Sequence, residues 1–333
     1  MTKESTNQEP SGLLQQSAGG FRTFSRLPSI DACEGIKIDL AFLGIPFDSL
    51  VTFRPGARFG PNAIRQASAL CRNFSQQMEV GVFDCLRACD VGDLNVNPFN
   101  YSETFDEIER QISGYQSRGA AVISLGGDHS ILLPILRATS KNHPNITLIQ
   151  FDAHSDTSDM SSGGQRFHHG TTIRRAIEEG LVQGPRVFQI GIRGFIESAS
   201  YNDFSLQEGI RVLNMQGVHS PDKRDDFLEE LRNTAGSDPC YLTFDIDSVD
   251  PAFAPGTGTP IVGGLTSFEA LDLMRSLKGL NLIGGDVVEV APAYDHAEIT
   301  SLLAAAVALE IGALIALARP TVSLHTPEYR PSS

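Results

Sequence analysis

The sequence predicts an α/β fold: a single doubly wound domain with a mostly parallel sheet and helices on both faces. Short apolar runs of β-prone residues alternate with helical patterns along the chain, which is typical of parallel sheets. A length of 333 residues, of which 41% are hydrophobic, allows a large buried core. No linker or low-complexity segment divides the chain after about residue 25. One domain is therefore the simplest prediction.

The apolar runs and helical patterns give the expected elements in order. The predicted strands are Asp39–Pro46, Ala120–Gly127, Ile146–Asp152, Arg186–Ile192, Ile210–Asn214, Cys240–Asp247 and Asn281–Val290. The predicted helices are Asn62–Leu70, Glu103–Arg118, Thr172–Glu179, Asp225–Asn233, Ser267–Leu277 and Glu298–Leu317. The stretch Ile299–Ala318 is apolar enough to resemble a membrane span. Because it contains Glu310 and is rich in alanine, a buried helix is the better interpretation.

Composition and charge disfavour several classes of partner. Acidic residues outnumber basic ones by 40 to 26, and a net charge of −14 argues against binding to nucleic acid or membranes. The five cysteines are odd in number and lack zinc-site spacing, so free thiols are expected. Residues 1–20 show neither a signal-peptide core nor an Arg-rich transit pattern. We predict a disordered segment over residues 1–25, a folded domain over residues 26–333 and a cytoplasmic location.

Carboxylates and histidines cluster at the ends of three predicted strands. They are His129 after one run, Asp152, His154 and Asp156 after the next, and Asp245 and Asp247 in a later one. Alternate residues of an extended segment point to one face, so the members of each cluster are expected to converge. Paired glycines before His129 permit a sharp turn that leaves it at the strand tip. Because ligands gather at the carboxyl ends of parallel strands, all six side chains are expected to meet.

Four carboxylates and two imidazoles at one place indicate a metal centre. Packed carboxylates repel one another and lose hydration, at a cost of several kcal/mol each, unless cations neutralise them. Oxygen-rich ligands with a minority of imidazole suit Mn²⁺ or a similar first-row ion rather than structural zinc. Six ligands favour two ions about 3.5–4 Å apart with shared carboxylates. A single acid at a strand end is more often a helix cap, but six acids and histidines at three strand ends favour a metal site.

At these residues the sequence resembles the ureohydrolase family, which includes arginase, agmatinase and the guanidino-acid hydrolases. The likeness extends from about residue 36 to the end of the chain. It is carried by GGDHS at Gly126–Ser130, DAHSD at Asp152–Asp156, HHGT at His168–Thr171, DIDSVDPAFAPGTGTP at Asp245–Pro260, GIPFD at Gly44–Asp48, RPGARFGP at Arg54–Pro61 and DVVEVAP at Asp286–Pro292. The resemblance implies an arginase-like catalytic domain that cuts a guanidino C–N bond to release urea and an amine. Homo-oligomers, trimers or hexamers, are the implied assembly.

The resemblance also implies a role for each matching residue. One ion would be held by His129, Asp152, Asp156 and Asp245, and the other by His154, Asp152, Asp245 and Asp247. Asp156 would accept a hydrogen bond from the attacking water and relay its proton. Glu289 would pair with the substrate guanidinium, for which a bidentate carboxylate is suited. His169 would give a proton to the leaving amine, although spacing alone does not separate it from His168.

The motifs favour one substrate but leave alternatives open. PAFAPGTGTP and EVAPAYDHAEIT are more similar to agmatinase and guanidino-acid hydrolases than to arginase, which predicts hydrolysis of agmatine to putrescine and urea. In residues 157–167, however, Ser158 stands where agmatinases commonly have tyrosine. Asp159 is a candidate partner for the ammonium of agmatine, and Arg166 for the carboxylate of a guanidino acid; both are equally interpretable as solvated loop charges. The alternatives are guanidinobutyrate or guanidinopropionate hydrolysis, or nickel-dependent hydrolysis of guanidine or a biguanide.

Two rival functions are less consistent with the residues. A zinc deacetylase of similar fold needs one catalytic ion, so the further ligands Asp156 and Asp247 argue against it. A regulatory subunit paired with an active homologue in a hetero-oligomer would not need the complete ligand set.

Overall fold

The computed structural model describes residues 22–161, 163–196 and 198–319. The strands are β1 (Leu40–Ile45), β2 (Phe74–Ser75), β3 (Val80–Gly81), β4 (Ala88–Asp93), β5 (Ala121–Gly126), β6 (Thr147–Phe151), β7 (Val187–Ile190), β8 (Arg211–Leu213), β9 (Pro239–Asp245) and β10 (Asn281–Val288). The α-helices are α1 (Gly60–Ala67), α2 (Val82–Cys85), α3 (Tyr101–Gln116), α4 (Leu132–Asn142), α5 (Thr172–Glu178), α6 (Asp203–Glu208), α7 (Met215–Val218), α8 (Pro221–Ala235), α9 (Ser267–Arg275) and α10 (Ile299–Ala318).

The main sheet has eight strands in the order β4-β1-β5-β10-β9-β6-β7-β8. All its neighbouring strands are parallel, while β2 and β3 form a separate antiparallel pair. Parallel strands need crossover connections, and here most of these contain helices. Because β5, β10, β9 and β6 are adjacent, their carboxyl ends form one continuous edge in the middle of the sheet. The predicted α/β class and parallel sheet are confirmed.

Helices cover both faces of the sheet, as predicted. One apolar core includes Ile64 of α1, Leu273 of α9 and Ile311 of α10, and the other includes Ile108 of α3 and Ile135 of α4. Along β1, Leu40 and Phe42 belong to the first core while Ala41, Leu43 and Ile45 belong to the second. Strands buried on both faces explain why their sequences read as continuous apolar runs.

The apolar helix α10 is part of the core. It is long and apolar enough to cross a membrane by length and composition, and 72% of its most apolar window is buried inside the protein. Its one acidic residue, Glu310, accepts a hydrogen bond from Arg275 Nε at 2.9 Å. The prediction of a buried helix is confirmed.

Residues 1–21 of the predicted N-terminal segment lie outside the described residues. Residues 22–25 do not, and they correct the predicted boundary: Phe24 is fully buried and stacks on Phe42 with 4.1 Å between ring centroids. The sequence prediction also lacked β4, the β2–β3 pair and the helices α2, α4, α6 and α7. Most of these elements are short, and β4 lies at the sheet edge, where half-exposed residues weaken the apolar signal.

Candidate metal centre and active site

Four neighbouring strands deliver the predicted site residues to one place. His129 follows β5, Glu289 follows β10, Asp245 is the last residue of β9, and Asp152 follows β6. The adjacency of these strands in the sheet therefore brings together motifs that lie far apart in the sequence. This is the edge at which ligands bind in open parallel sheets.

Four residues form an inner cluster, consisting of His129, Asp152, Asp156 and Asp245. His129 Nδ1 lies 2.8 Å from Asp156 Oδ2, 3.1 Å from Asp152 Oδ2 and 3.4 Å from Asp245 Oδ2. All four residues are buried. His129, Asp152 and Asp245 each offer a ligand atom at a mutual separation suited to one metal ion.

The outer cluster consists of Asp152, His154 and Asp247. His154 Nδ1 lies 3.0 Å from Asp247 Oδ2 and 3.5 Å from Asp152 Oδ1. The two oxygens of Asp152 thus face different clusters, as expected of a bridging carboxylate. The His154 side chain is 33% exposed, so this cluster lies nearer to solvent than the inner one. These three residues also have ligand atoms spaced for one ion.

The predicted side chains come together, but not by simple alternation along extended strands. β6 ends at Phe151, and Asp156 has a left-handed backbone with φ of 52°. On the other strand, Ile246–Ser248 forms a 3₁₀ turn directly after Asp245. Because the extended backbone is interrupted at these points, neighbouring members of one motif lie in different clusters. Asp156 and Asp245 lie in the inner cluster, and His154 and Asp247 lie in the outer one.

The paired glycines before His129 allow the backbone to pack closely at the end of β5. Neither has a positive φ. A Cβ on Gly127 would lie 2.0 Å from the carbonyl oxygen of Phe47, and one on Gly126 would lie 2.5 Å from that of Val287. Only glycine allows such close backbone approach. The chain bends at Gly127 and leaves His129 just beyond the strand tip, as expected, and the glycines also let β5 and the His129 turn pack tightly against their neighbours.

A buried hydrogen-bond chain behind the inner cluster orients His129. Its Nε2 lies 2.8 Å from Thr243 Oγ1, and that hydroxyl donates to Asp286 Oδ1 at 2.6 Å. Tyr241 donates to the other oxygen of Asp286 at 2.9 Å. Because the Thr243 proton is used on Asp286, the Thr243 oxygen accepts from Nε2–H, so Nδ1 is the ring nitrogen directed at the carboxylates and the one placed to bind a metal ion. Sequence reasoning did not single out Thr243, Tyr241 or Asp286 as functional residues.

The electrostatics of the inner cluster fit a divalent cation. Burial and the charge of Asp152 raise the pKa of Asp156 to about 6, and burial with Asp247 raises that of Asp245 well above its ordinary range. His129 Nδ1 and Asp156 Oδ2 are buried and complete no hydrogen bond of good geometry, although they lie 2.8 Å apart. Crowded carboxylates with an imidazole nitrogen directed at them are the donor set that first-row divalent ions take.

Glu289 lies beside the inner cluster with one oxygen free. Its backbone is left-handed, with φ of 63°, a strained conformation that is concentrated at functional sites. Oε1 accepts from the backbone amide of His129 at 2.8 Å and approaches His169 Nδ1 to 2.9 Å. Oε2 is buried without a hydrogen-bond partner. A Cβ on Gly258 would lie 3.6 Å from Oε2, so the glycine keeps space beside this oxygen.

The two histidines of the HHGT motif occupy different environments. His168 caps the 3₁₀ turn His169–Thr171, and its Nδ1 accepts from the Gly170 amide. His169 instead contacts Glu289, while its Nε2 accepts from the Thr52 amide at 3.1 Å and meets the Thr52 hydroxyl at 2.7 Å. Burial lowers the pKa of His169, but the Glu289 carboxylate overcomes this effect and raises it to about 9. The Thr52 amide requires Nε2 to be unprotonated, whereas the Glu289 carboxylate favours a second proton on the His169 ring. The two contacts therefore favour different protonation states of His169.

The charges of the loop after DAHSD pair with α5. Asp159 Oδ1 accepts from Arg175 Nη2 at 2.7 Å, and Arg166 Nη2 donates to Glu178 at 2.7 Å. Arg175 is almost fully buried. Neither predicted substrate contact, Asp159 or Arg166, therefore has a free charged group in this structure. Ser158 Oγ donates to the hydroxyl of Tyr201 at 3.3 Å.

Comparison with known proteins gives a consistent result. The model of the arginase family matches residues 38–313. The chain is 41% identical to a mitochondrial agmatinase of Gallus gallus, over 92% of this chain and 88% of the relative. It is 42% identical to a guanidinobutyrase of Pseudomonas aeruginosa, over 86% of this chain and 90% of the relative. The solved structure of proclavaminate amidino hydrolase from Streptomyces clavuligerus has a TM-score of 0.83 and 38% identity, covering 91% and 99% of the two chains.

Proposed function

The chain belongs to the arginase family, and on this premise we propose that it hydrolyses agmatine to putrescine and urea with two divalent metal ions. Members of the family are hydrolases of C–N bonds in guanidino compounds. One observation carries the proposal for this chain: two ligand clusters share Asp152, and the unpartnered Oε2 of Glu289 lies beside one of them. A centre for metal and a site for a planar cation are thus next to each other.

We propose that the two ions are held in the arrangement that the family resemblance implies, and the two groups His129–Asp152–Asp245 and Asp152–His154–Asp247 support this proposal. The inner position would use His129, Asp152, Asp156 and Asp245, and the outer one would use His154, Asp152, Asp245 and Asp247. When bound, two such ions lower the pKa of a shared water to about 7, so that it becomes a nucleophile at neutral pH. Mn²⁺ is our proposed metal because oxygen ligands dominate both positions, and Ni²⁺ is the alternative.

Glu289 is proposed to hold the guanidinium of the substrate against the nucleophile. Its Oε1 is fixed by His129 N and His169 Nδ1, so the carboxylate has one orientation. Oε2 then remains to accept from a planar cation. A rigid carboxylate of this kind contributes to catalysis by orientation, since it holds the reacting carbon in one place.

Asp156 and His169 are proposed to move the protons. Asp156 accepts a hydrogen bond from the attacking water and takes its proton, for which its buried place in the inner cluster beside His129 suits it. His169 returns a proton to the leaving amine, for which a pKa of about 9 and the neighbouring Thr52 hydroxyl suit it. The bond from the guanidino carbon to the amine nitrogen breaks, and the water oxygen stays in urea.

The identity of the substrate is a more specific proposal than the type of reaction. Agmatine is a dication, which the net charge of −14 favours over a guanidino acid, a zwitterion with no net charge. The relatives named agmatinase and guanidinobutyrase are nearly equally similar, however, so guanidinobutyrate is the second candidate. We propose a homo-oligomer as the active form.

A panel of substrates tests the proposal. Purified protein is stripped of metal, loaded in turn with Mn²⁺, Ni²⁺ and Zn²⁺, and offered agmatine, guanidinobutyrate, guanidinopropionate, arginine, guanidine and a biguanide while urea is measured. The expected result is the highest kcat/KM with agmatine and Mn²⁺. A higher value with a guanidino acid replaces agmatine by that substrate. Absence of urea in every combination contradicts the proposed function.

A further inference from the structure

Arg193 lies after β7, between the two loops that supply the outer cluster. All the hydrogen-bonding groups of its guanidinium point at backbone carbonyls, those of Gly191, Asp247, Ser248, Val249 and Ile261. We infer that Arg193 is a positioning residue for the outer metal position, and this inference rests on the metal centre of the proposed function. Arg193 joins the DAHSD loop to the turn that carries Asp247.

The guanidinium holds the turn of one ligand directly. Arg193 Nη2 donates to the carbonyl of Asp247 at 2.7 Å, and Nη1 donates to that of Ser248 at 3.0 Å. Nη2 also donates to the carbonyl of Ile261 at 2.6 Å. Asp247 is therefore fixed through its own backbone, in addition to the contacts of its carboxylate.

The backbone of Arg193 holds the other ligand loop. Its amide donates to the carbonyl of Ala153 at 3.0 Å, between Asp152 and His154. One residue thus connects the segments that carry all three members of the outer cluster. The inner cluster is supported differently, since its His129 is oriented by the side chains of Thr243 and Asp286.

The packing of Arg193 excludes a simpler role as an ion-pair partner or an anion site. Within the described residues, no carboxylate lies at ion-pair distance from its guanidinium. Its five N–H groups are all directed at carbonyls, so none is left for a substrate carboxylate. Close packing also fixes its place, since a Cβ on Gly264 would lie 2.4 Å from Nη2. The side chain acts on the geometry of the backbone around it.

Charge and geometry predict opposite results when Arg193 is replaced. Removal of a positive charge close to Asp247 and Asp152 would, by charge alone, strengthen binding of a divalent cation. Loss of the carbonyl contacts would free the Asp247 turn and weaken binding. If Arg193 positions the ligand, Arg193→Met loses about 10- to 100-fold in affinity at one metal position and leaves the other unchanged.

The experiment is a titration of the metal-stripped full-length chain with Mn²⁺ alone. Wild type is expected to bind two ions, with the electron paramagnetic resonance signal of a coupled pair, whereas Arg193→Met keeps one tight ion and loses the coupled signal at low Mn²⁺. Arg193→Lys, with fewer donors, should lie between them. Arg54→Met is the matched control, because Arg54 also donates to carbonyls, those of Thr257 and Gly258, but not to a ligand turn. It should bind two ions as wild type does.

Two results would overturn the inference. One is unchanged or tighter binding of both ions by Arg193→Met, which would assign the residue a purely electrostatic role or none. The other is equal loss in Arg54→Met, which would show a general effect of disturbing the carbonyl network. If Arg193→Met does not fold, as judged by circular dichroism, Arg193→Lys decides by the same criteria. Failure of the proposed function alone is distinguishable, since wild type would then bind two ions without releasing urea. Binding of no ion by wild type would overturn the inference as well.

Discussion

The loop of residues 157–167 directly follows the DAHSD motif of the metal clusters, but the loop and the clusters differ in construction. The clusters are built on the ends of adjacent central strands, and their carboxylates are buried. The loop charges Asp159 and Arg166 are about half exposed and are held by ion pairs to α5. Ligands fixed by a sheet are constrained by the whole core, whereas a loop fixed by surface ion pairs is constrained weakly.

This difference explains why the chemistry is easier to infer than the substrate. Relatives with different substrate names share about the same identity with this chain. The strand-end motifs are therefore compatible with several guanidino compounds, and discrimination must depend on residues outside them. Substitutions in the clusters should act on all substrates alike, and this expectation can be tested from the largest effect to the smallest.

Asp152→Asn should have the largest effect. Asp152 faces both clusters with separate oxygens, so its replacement weakens both metal positions while keeping the side-chain volume. We expect urea release from every substrate to fall by more than about a hundredfold, since even indirect supports of a metal ligand are worth 10- to 100-fold. Metal content by elemental analysis and urea assays measure this. Two ions retained at full affinity would contradict a bridging role.

Asp247→Ala should empty one position only. Asp247 contacts His154 and lies outside the set of groups around His129, so one ion per chain should remain. Asp250→Ala is the control, because Asp250 is close in sequence but its carboxylate accepts from the backbone amides of Ala252, Gly263 and Gly264 and contacts no member of either cluster. Elemental analysis should give about half the metal for the first variant and the wild-type amount for the second. Two ions per chain in Asp247→Ala would refute the assignment of this ligand.

Glu289→Gln should separate substrate orientation from metal binding. The amide keeps the shape of the side chain but lacks the charge that pairs with a guanidinium. We expect kcat/KM to fall by about 100- to 1,000-fold, the range for removing one preorganised electrostatic group from an active site. The fall should be similar for agmatine and guanidinobutyrate, and both ions should stay bound. Loss of metal in this variant would show that Glu289 acts on the clusters instead.

Sequence reasoning predicted much of the site because its residues end long apolar runs. His129 and Asp245 stand at such ends, and the parallel sheet made their convergence predictable. The local geometry was not predictable, since the left-handed Asp156 leaves no mark in a pattern of period two. Thr243 and Asp286 were missed as functional residues because each lies inside an apolar run, where its meaning depends on a partner that is distant in the sequence.

The fold, like the site, was predicted only in part from the sequence. The long central strands and α10 were predicted because their apolar runs extend over many residues, and α3 because its apolar periodicity does. Helix α4 was missed although it is regular and mostly buried. It follows the His129 turn without a polar break and has Pro134 in its first turn, so its start resembles a continuing loop.

Asp159→Asn should have the smallest effect and tests the loop side of the comparison. Asp159 is bound to Arg175, and Arg175 keeps Glu178 as a second partner at 3.3 Å, so the loop should loosen without unfolding. If the carboxylate only holds the loop, KM should rise less than about fivefold, and by the same factor for agmatine and guanidinobutyrate. Arg166→Gln is the matched control, since it removes the opposite charge from the same network. A rise in KM for agmatine alone would mean that Asp159 leaves Arg175 and binds the ammonium group of the substrate. The loop would then discriminate between substrates by their charge.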